Sequence, residues 1–352
     1  MLAEGLGVSY GALDASDEIQ HSRQMQTPSF AKTPPFVEII EIGDPVSANA
    51  GVDLIAQDVV QLQTAPLKAR QVIVRLEGAI VMYHSTNLRM RSRPALHKHL
   101  MGYVTFGPST TGTVDGLPIR QDSLFIVPPG AEVGFVTDSG YESFGFLMGT
   151  DELHAHLSLR GRLSEFHVPH RSEALNVGTE RSGKLFAWGL DLIDTAVHQP
   201  EIFNLHKEQR ASAHADLMEI LLTTLAGARK AEPGRSERTG QMQSTIVQAA
   251  EQFALAHVTD RLYVSDLCKA TGVSERALEY AFRAVMGLSP VAYLSRLRLH
   301  RVHETLLAAT SGTTTVTIEA LKWGFWHFGE FSKAYKDCFG ELPSDTLRRP
   351  GL

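Results

Sequence analysis

Between residues 34 and 150 the chain runs in short apolar stretches broken by Gly and Pro: Phe36–Ile42, Val59–Leu62, Gln71–Tyr83, Leu100–Phe106, Ser123–Val127, Val133–Thr137 and Tyr141–Met148. Their length and spacing predict antiparallel strands closed into a sandwich or barrel. Beyond Asp151 the apolar period becomes helical. Helices are expected over Asp151–Arg160 and Glu180–Val197, the second with Leu185, Trp188, Leu190, Leu192 and Ile193 on one arc. A stronger stripe, Leu217, Ile220, Leu221, Leu222 and Leu225, lies within Ile202–Ala228 and needs a cover, either the barrel or a second copy of the chain. Residues 151–228 therefore read as a helical connector or dimerisation region. Residues 229–243, rich in charge with Pro and Gly, read as a linker, and the polar, aperiodic residues 1–33 as a flexible tail.

From residue 244 to 350 the pattern predicts a domain of helices. Ile246–His257 opens it, and a short helix from Val264 ends at Gly272. Ser274 stands at an N-cap position before Glu275–Met286, whose Leu278, Ala281, Phe282 and Val285 share one face and whose Arg276, Glu279, Tyr280 and Arg283 share the other. Ser289-Pro290 starts a long helix to about Ala309, with serine as cap and proline at the first position. Its expected apolar side is Val291, Leu294, Leu297, Val302, Leu306 and Leu307; its expected basic side is Arg296, Arg298, His300, Arg301 and His303. The pattern then repeats as a short helix formed by Val316, Ile318, Ala320, Leu321 and Trp323, a turn at Gly324-Phe325, and a helix over Phe328–Phe339. Phe328, Phe331, Tyr335 and Phe339 are expected inward, and His327, Glu330, Lys333, Lys336 and Asp337 outward. Two helix-turn-helix units joined by a rigid helix suit a protein that enters two adjacent major grooves, about 34 Å apart.

The run from Gly324-Phe325 through Phe331-Ser332-Lys333-Ala334-Tyr335-Lys336-Asp337-Cys338-Phe339-Gly340-Glu341-Leu342-Pro343-Ser344 resembles the closing signature of the AraC/XylS family of bacterial transcription regulators. Trp323-Gly324-Phe325-Trp326-His327-Phe328-Gly329 is similar to the subgroup that includes the ethanolamine-operon regulator. The resemblance implies double-stranded DNA and RNA polymerase as partners, activation as the output, a homodimer, and a cupin-like jelly roll at the N-terminus that senses a small molecule or dimerises. The expected fold class is thus α+β and multidomain, an antiparallel β domain followed by an all-α domain with two helix-turn-helix units. Base contacts fall to Arg276, Glu279, Tyr280, His327, Glu330 and Lys333, and phosphate contacts to Ser274, Arg283, Arg298 and Lys336. Glu279 and Glu330 stand where a phosphate would be repelled; a carboxylate there can read a cytosine amino group instead.

Asp122-Ser123-Leu124-Phe125-Ile126-Val127-Pro128-Pro129-Gly130 is similar to the second cupin motif. A metal-bearing cupin would carry a histidine about three residues later, where this chain has Val133, and no glutamate follows His97-Lys98-His99 within the next few residues. No metal ligand, catalytic residue or cofactor is therefore assigned. Tyr83, His84, His97, Tyr103 and Tyr141 are polar-tipped residues near strands and are candidates for lining an effector pocket.

Composition adds limits. The chain has 352 residues and a formal net charge of −6, which argues against binding polyanions with its whole surface. Residues 241–352 hold about a dozen Lys and Arg against about eleven Asp and Glu, near neutral for a DNA-binding domain. Binding must then depend on where the charges stand. No basic segment leads into an apolar run at the start, and no later run is long enough to span a bilayer, so a cytoplasmic protein without membrane contact is expected. Cys268 and Cys338 match no metal or dithiol spacing and read as reduced, buried thiols. Two other classes stay open: a cupin enzyme fused to a regulator domain, and a protein-interaction module that has lost DNA binding.

Overall fold

The computed structural model describes residues 34–49, 55–163, 167–257, 262–309 and 312–349. The expected tail at 1–33 lies outside the described residues. Eleven strands come first: β1 (Val37–Ile42), β2 (Ile55–Gln61), β3 (Ala69–Arg75), β4 (Ala79–Thr86), β5 (Met90–Leu96), β6 (Leu100–Phe106), β7 (Gly112–Val114), β8 (Leu117–Pro118), β9 (Ser123–Val127), β10 (Phe135–Thr137) and β11 (Tyr141–Gly149). Later β12 (Glu173–Asn176) and β13 (Arg229–Lys230) extend one edge. One antiparallel sheet runs β1-β3-β4-β11-β6-β9-β12-β13, the other β2-β5-β10-β7-β8. Gln71–Tyr83, which reads in sequence as a single run, is the β3–β4 hairpin. Its residues are apolar on both faces because one face looks between the sheets and the other lies under helices.

Those helices are α1 (Thr150–Leu159), α2 (Thr179–His198), α3 (Glu201–Leu205) and α4 (Lys207–Leu225). Leu153 and Leu157 of α1, Leu185, Leu192 and Ile193 of α2, and Leu217, Leu221 and Leu222 of α4 are buried in one cluster with Val72, Val81, Phe144 and Phe146 of the larger sheet. The apolar stripe on α4 is thus covered within the chain, and it is not left over for a second copy. The expected linker is also different. Arg229–Lys230 pairs with β12, and α5 (Arg235–Ala256) begins inside the segment, its first turn closed by the Glu237 carboxylate accepting from the Gly234 N–H at 2.8 Å.

The C-terminal helices are α6 (Val264–Thr271), α7 (Glu275–Met286), α8 (Pro290–Ala308), α9 (Val316–Lys322), α10 (Phe328–Phe339) and α11 (Pro343–Arg348). Ser274 and Ser289 cap α7 and α8, accepting from the Ala277 and Ala292 N–H groups at 3.3 and 3.2 Å. These helices do not stand apart from the sheets: Val60, Leu62 and Val136 share a core with Val247, Leu267, Phe282 and Leu294.

At that junction lies a buried polar network. Arg91 of β5, 1% exposed, donates to Asp58 at 2.8 Å and to Glu251 of α5, which also accepts from the Tyr293 hydroxyl of α8. Arg93 completes the pairing of Glu251. Arg301 of α8 reaches Asp58 at 2.9 Å and Glu304 at 2.7 Å. Burial pushes the Asp58 carboxyl up, but the Arg91 and Arg301 guanidinium groups outweigh it and hold the pKa at about 2. The same surface receives His300, whose Nε2 accepts from the Gln61 N–H at 3.1 Å, and His303, which bridges Asp44 and Tyr335.

The basic side expected on α8 is therefore turned inward. His300 and His303 are buried and Arg301 is paired to the sheet, while Val291, expected inside, is exposed. Burial drives the His300 pKa well below its usual value, which keeps Nε2 free to accept.

Removing one partner of a buried charge leaves the other uncompensated. Glu251→Ala should destabilise the chain by roughly 3–5 kcal/mol in urea unfolding, whereas Arg91→Met combined with Glu251→Leu should recover most of that loss. A second expectation concerns pH. Because folding lowers the His300 pKa, its contribution is fully present above about 6.5 and is lost as pH falls below that value. The urea midpoint should drop on acidification from pH 7.5 to 5.5, and His300→Gln should make the drop shallower.

Candidate nucleic-acid interface and barrel cavity

Helix α7 buries Leu278, Ala281, Phe282, Val285 and Met286 and exposes Ser274, Arg276, Tyr280 and Arg283, with Glu279 half-buried. Glu279 accepts from Arg283 at 3.0 Å, so the carboxylate that threatened a phosphate contact is neutralised one helical turn along its own helix. The N-terminal half of α7 has no hydrogen bond or ion pair to the sheets among the described residues. Its C-terminal end is held instead: Arg89 Nη2 donates to the Val285 carbonyl at 3.0 Å. Gly287, at φ 73°, is suited to that approach, because a Cβ there would stand 2.9 Å from the same guanidinium.

The second unit repeats this arrangement. Phe331, Tyr335 and Cys338 of α10 are buried, and His327, Glu330, Lys333, Lys336 and Asp337 are exposed. Phe328, expected inward, is exposed at the helix start beside Trp326. The C-terminal end again meets the sheets, with Gln61 Nε2 donating to the Cys338 carbonyl at 3.4 Å. Arg298 is half-buried against the Gly324 turn, and burial lowers its pKa, so it stands apart from the other phosphate candidates. Among the described residues Arg276, Lys333 and Lys336 take part in no ion pair, whereas Arg283, Arg301, Arg348 and Arg349 are all paired. Nineteen residues of α8 separate the two units, about 28 Å of helix at 1.5 Å per residue.

Between the two sheets lies a cavity of about 120 Å³. The pleat decides which candidates reach it. Gln71, His84 and Ser143 are direct cross-strand partners on β3, β4 and β11 and all line it, as does Tyr141. Tyr83, Tyr103 and His97 do not. Tyr83 and Tyr103 sit on the opposite face, packed in the cluster under the helices, where the Tyr83 hydroxyl donates to Glu142 at 2.6 Å. His97 is exposed in the β5–β6 turn, its ring 5.2 Å from that of His99.

Among the described residues no Asp, Glu, Lys or Arg lines the cavity. Burial lowers the His84 pKa to about 4 and raises that of Tyr141, so both are neutral at neutral pH. The Gln71 side chain is buried with neither its Oε1 nor its Nε2 hydrogen bonded. Sequence reasoning missed Gln71, since an amide in an apolar strand shows its isolation only once its neighbours are known. It also missed the charged junction around Glu251, and a group of Glu152, His156 and His214 whose donor atoms converge.

The Helix-turn-helix domain family matches residues 267–349, the span of both units. Over 103 residues the chain is 36% identical to the probable thc operon regulatory protein of Rhodococcus erythropolis, covering 29% of this chain and 31% of that one. Over 96 residues it is 34% identical to XylDLEGF operon transcriptional activator 2 of Pseudomonas putida, covering 27% of this chain and 61% of that one. The chain thus spans less than two thirds of the length of these curated relatives. A solved structure, a probable AraC family transcriptional regulator from Rhodopseudomonas palustris CGA009, is 37% identical, with 31% of this chain and 99% of that chain covered and a TM-score of 0.29. Both helix-turn-helix units and the helix between them lie in the matched span, and over that span the chain is similar to these operon regulators, as the resemblance of its closing motif to the AraC/XylS family implies.

Proposed function

We propose that the chain binds double-stranded DNA with both helix-turn-helix units and regulates transcription, with the cavity between its sheets receiving a small neutral effector. The observation that carries the DNA reading is the common orientation of α7 and α10: each buries its apolar face, anchors its C-terminal end on the sheets, and leaves its polar face in solvent. Arg276, Tyr280, His327 and Lys333 are placed for base edges, with Glu330 as a reader of cytosine. Ser274, Arg283 and Lys336 suit phosphates. Relatives named as operon activators support activation, and hence contact with RNA polymerase, as the output. The uncharged cavity supports a receptor over an enzyme.

The effector class follows from the lining. A buried amide without partners, set in an apolar wall, favours a ligand with an apolar body and one hydroxyl or amide group. The volume is close to that of the ~150 Å³ cavity known to take benzene.

Binding of the full chain to duplexes selected from a random pool should weaken steeply with salt. Arg276→Ala should cost roughly 1–3 kcal/mol on the selected site, and Lys336→Ala should lower the slope of log K against log salt by about one. Salt-insensitive or absent DNA binding would instead favour the protein-interaction reading. For the cavity, phenol should raise the melting temperature more than benzene does, and Gln71→Leu should remove that preference. Equal shifts from both compounds in the parent chain would refute the role of Gln71.

A further inference from the structure

On the outer face of the larger sheet, away from both the cavity and the recognition helices, two histidines and a glutamate converge. Helix α1 leaves β11 without a connecting loop, and burial of Leu153 and Leu157 fixes its rotation. Glu152 and His156, one turn apart, then face α4, where His214 is buried. Glu152 Oε1 lies 3.4 Å from His214 Nε2 and 3.6 Å from His156 Nε2, and the three donor atoms lie within 4.8 Å of one another. The His156 and His214 rings meet edge to face at 5.5 Å.

These contacts are not hydrogen bonds. His214 Nε2 is buried without a hydrogen-bond partner, although a carboxylate oxygen is near it, because the two atoms are not aligned for one. Their spacing has another explanation. Four donors around zinc at about 2.1 Å form a tetrahedron with edges of about 3.4 Å, close to the 3.4 and 3.6 Å that separate Glu152 from the two histidines. The carboxylate is also given room by its neighbour: at Gly78, in the β3–β4 turn, a Cβ would stand 2.4 Å from Glu152 Oε1.

From this geometry we infer that Glu152, His156 and His214 form a binding site for a divalent transition cation of the zinc class, joining α1 to α4. Two imidazole nitrogens and one carboxylate oxygen supply three positions, and the partly exposed side of Glu152 and His156 leaves the fourth to water. Arg160 is the group that opposes it. Its Nη1 donates to His156 Nδ1 at 3.1 Å, which in the neutral ring places the proton on Nε2. On metal binding the proton moves to Nδ1 and the guanidinium swings toward Glu219, already 3.7 Å away.

Arg160 therefore provides a variant expected to gain affinity. In Arg160→Gln the amide oxygen can accept from Nδ1–H, the support that metal-bound histidines usually have. The full chain, stripped with chelator, would be titrated with Co²⁺ followed by visible absorbance, then with Zn²⁺. One equivalent of Co²⁺ with tetrahedral bands, displaced by Zn²⁺, is expected, together with a Zn²⁺-dependent rise in melting temperature. His156→Gln and His214→Gln should weaken binding by at least tenfold, Arg160→Gln should tighten it, and His97→Ala with His99→Ala should leave it unchanged. His156 is partly exposed, so a preserved circular dichroism spectrum in His156→Gln separates loss of a ligand from loss of the fold. Binding that survives His156→Gln, binding lost with His97 and His99, or no binding at micromolar metal would each overturn the site.

Discussion

The arrangement of this molecule depends on a guanidinium removed from water. Arg91 leaves a strand of the smaller sheet and enters a space where no solvent can satisfy it, so its charge must be met by protein groups placed there. Asp58 comes from the neighbouring strand and Glu251 from α5, with Tyr293 of α8 closing the carboxylate. The strands supply Arg91, Arg93 and Asp58 and the helices supply Glu251 and Arg301, so neither side is satisfied alone. That requirement fixes how the helices sit on the sheets. It turns one flank of α8 inward with His300, Arg301 and His303, and leaves the N-terminal halves of α7 and α10 outward.

The same strands form the wall of the cavity. Along β5 the side chains alternate, Arg91 and Arg93 toward the helices, Met90, Ser92 and Pro94 toward the cavity. Along β2, Asp58 and Val60 face the helices while Gln57 and Val59 face inside. A period of two thus places ligand-facing and helix-facing groups on adjacent residues. The sheets also touch both helix-turn-helix units, through Arg89 at the end of α7 and Gln61 at the end of α10. A ligand acts on that arrangement only as far as it binds two positions of these strands unequally. The geometry makes such a difference local, with no long chain of intermediaries.

What could be read in the sequence was what local rules decide. The limits of α7, between Ser274 and Gly287, follow from a hydroxyl that accepts from the third N–H beyond it and a glycine with positive φ. The apolar stripes of α7 and of α10 from Phe331 onward follow from the helical period. Tertiary pairing was not legible. His300, Arg301 and His303 look like a solvated basic face until Gln61, Asp58 and Asp44 are brought opposite them. Tyr83 and His84 are neighbours in sequence, and parity alone sends the first under the helices and the second into the cavity. The expected linker fails for a similar reason: Pro and Gly near residue 233 mark the cap of a helix, not a flexible join.

The near-neutral charge of the C-terminal region, which argued against a DNA-binding surface, has a structural resolution. Glu251 is directed to the sheets, Glu304 to Arg301, Glu341 to Arg349 and Glu279 to Arg283. These carboxylates either lie at the junction or cancel a cation nearby in the chain. The sum of charges over the sequence therefore does not describe the exposed faces, where Arg276, Lys333 and Lys336 stand outside any ion pair among the described residues, beside the exposed Glu275, Glu330 and Asp337. Glu330 stands in the first turn of α10, three residues before Lys333. An exposed carboxylate there lowers non-specific attraction to phosphate, and it returns that loss only where a donor such as a cytosine amino group meets it. Its position therefore favours discrimination over affinity.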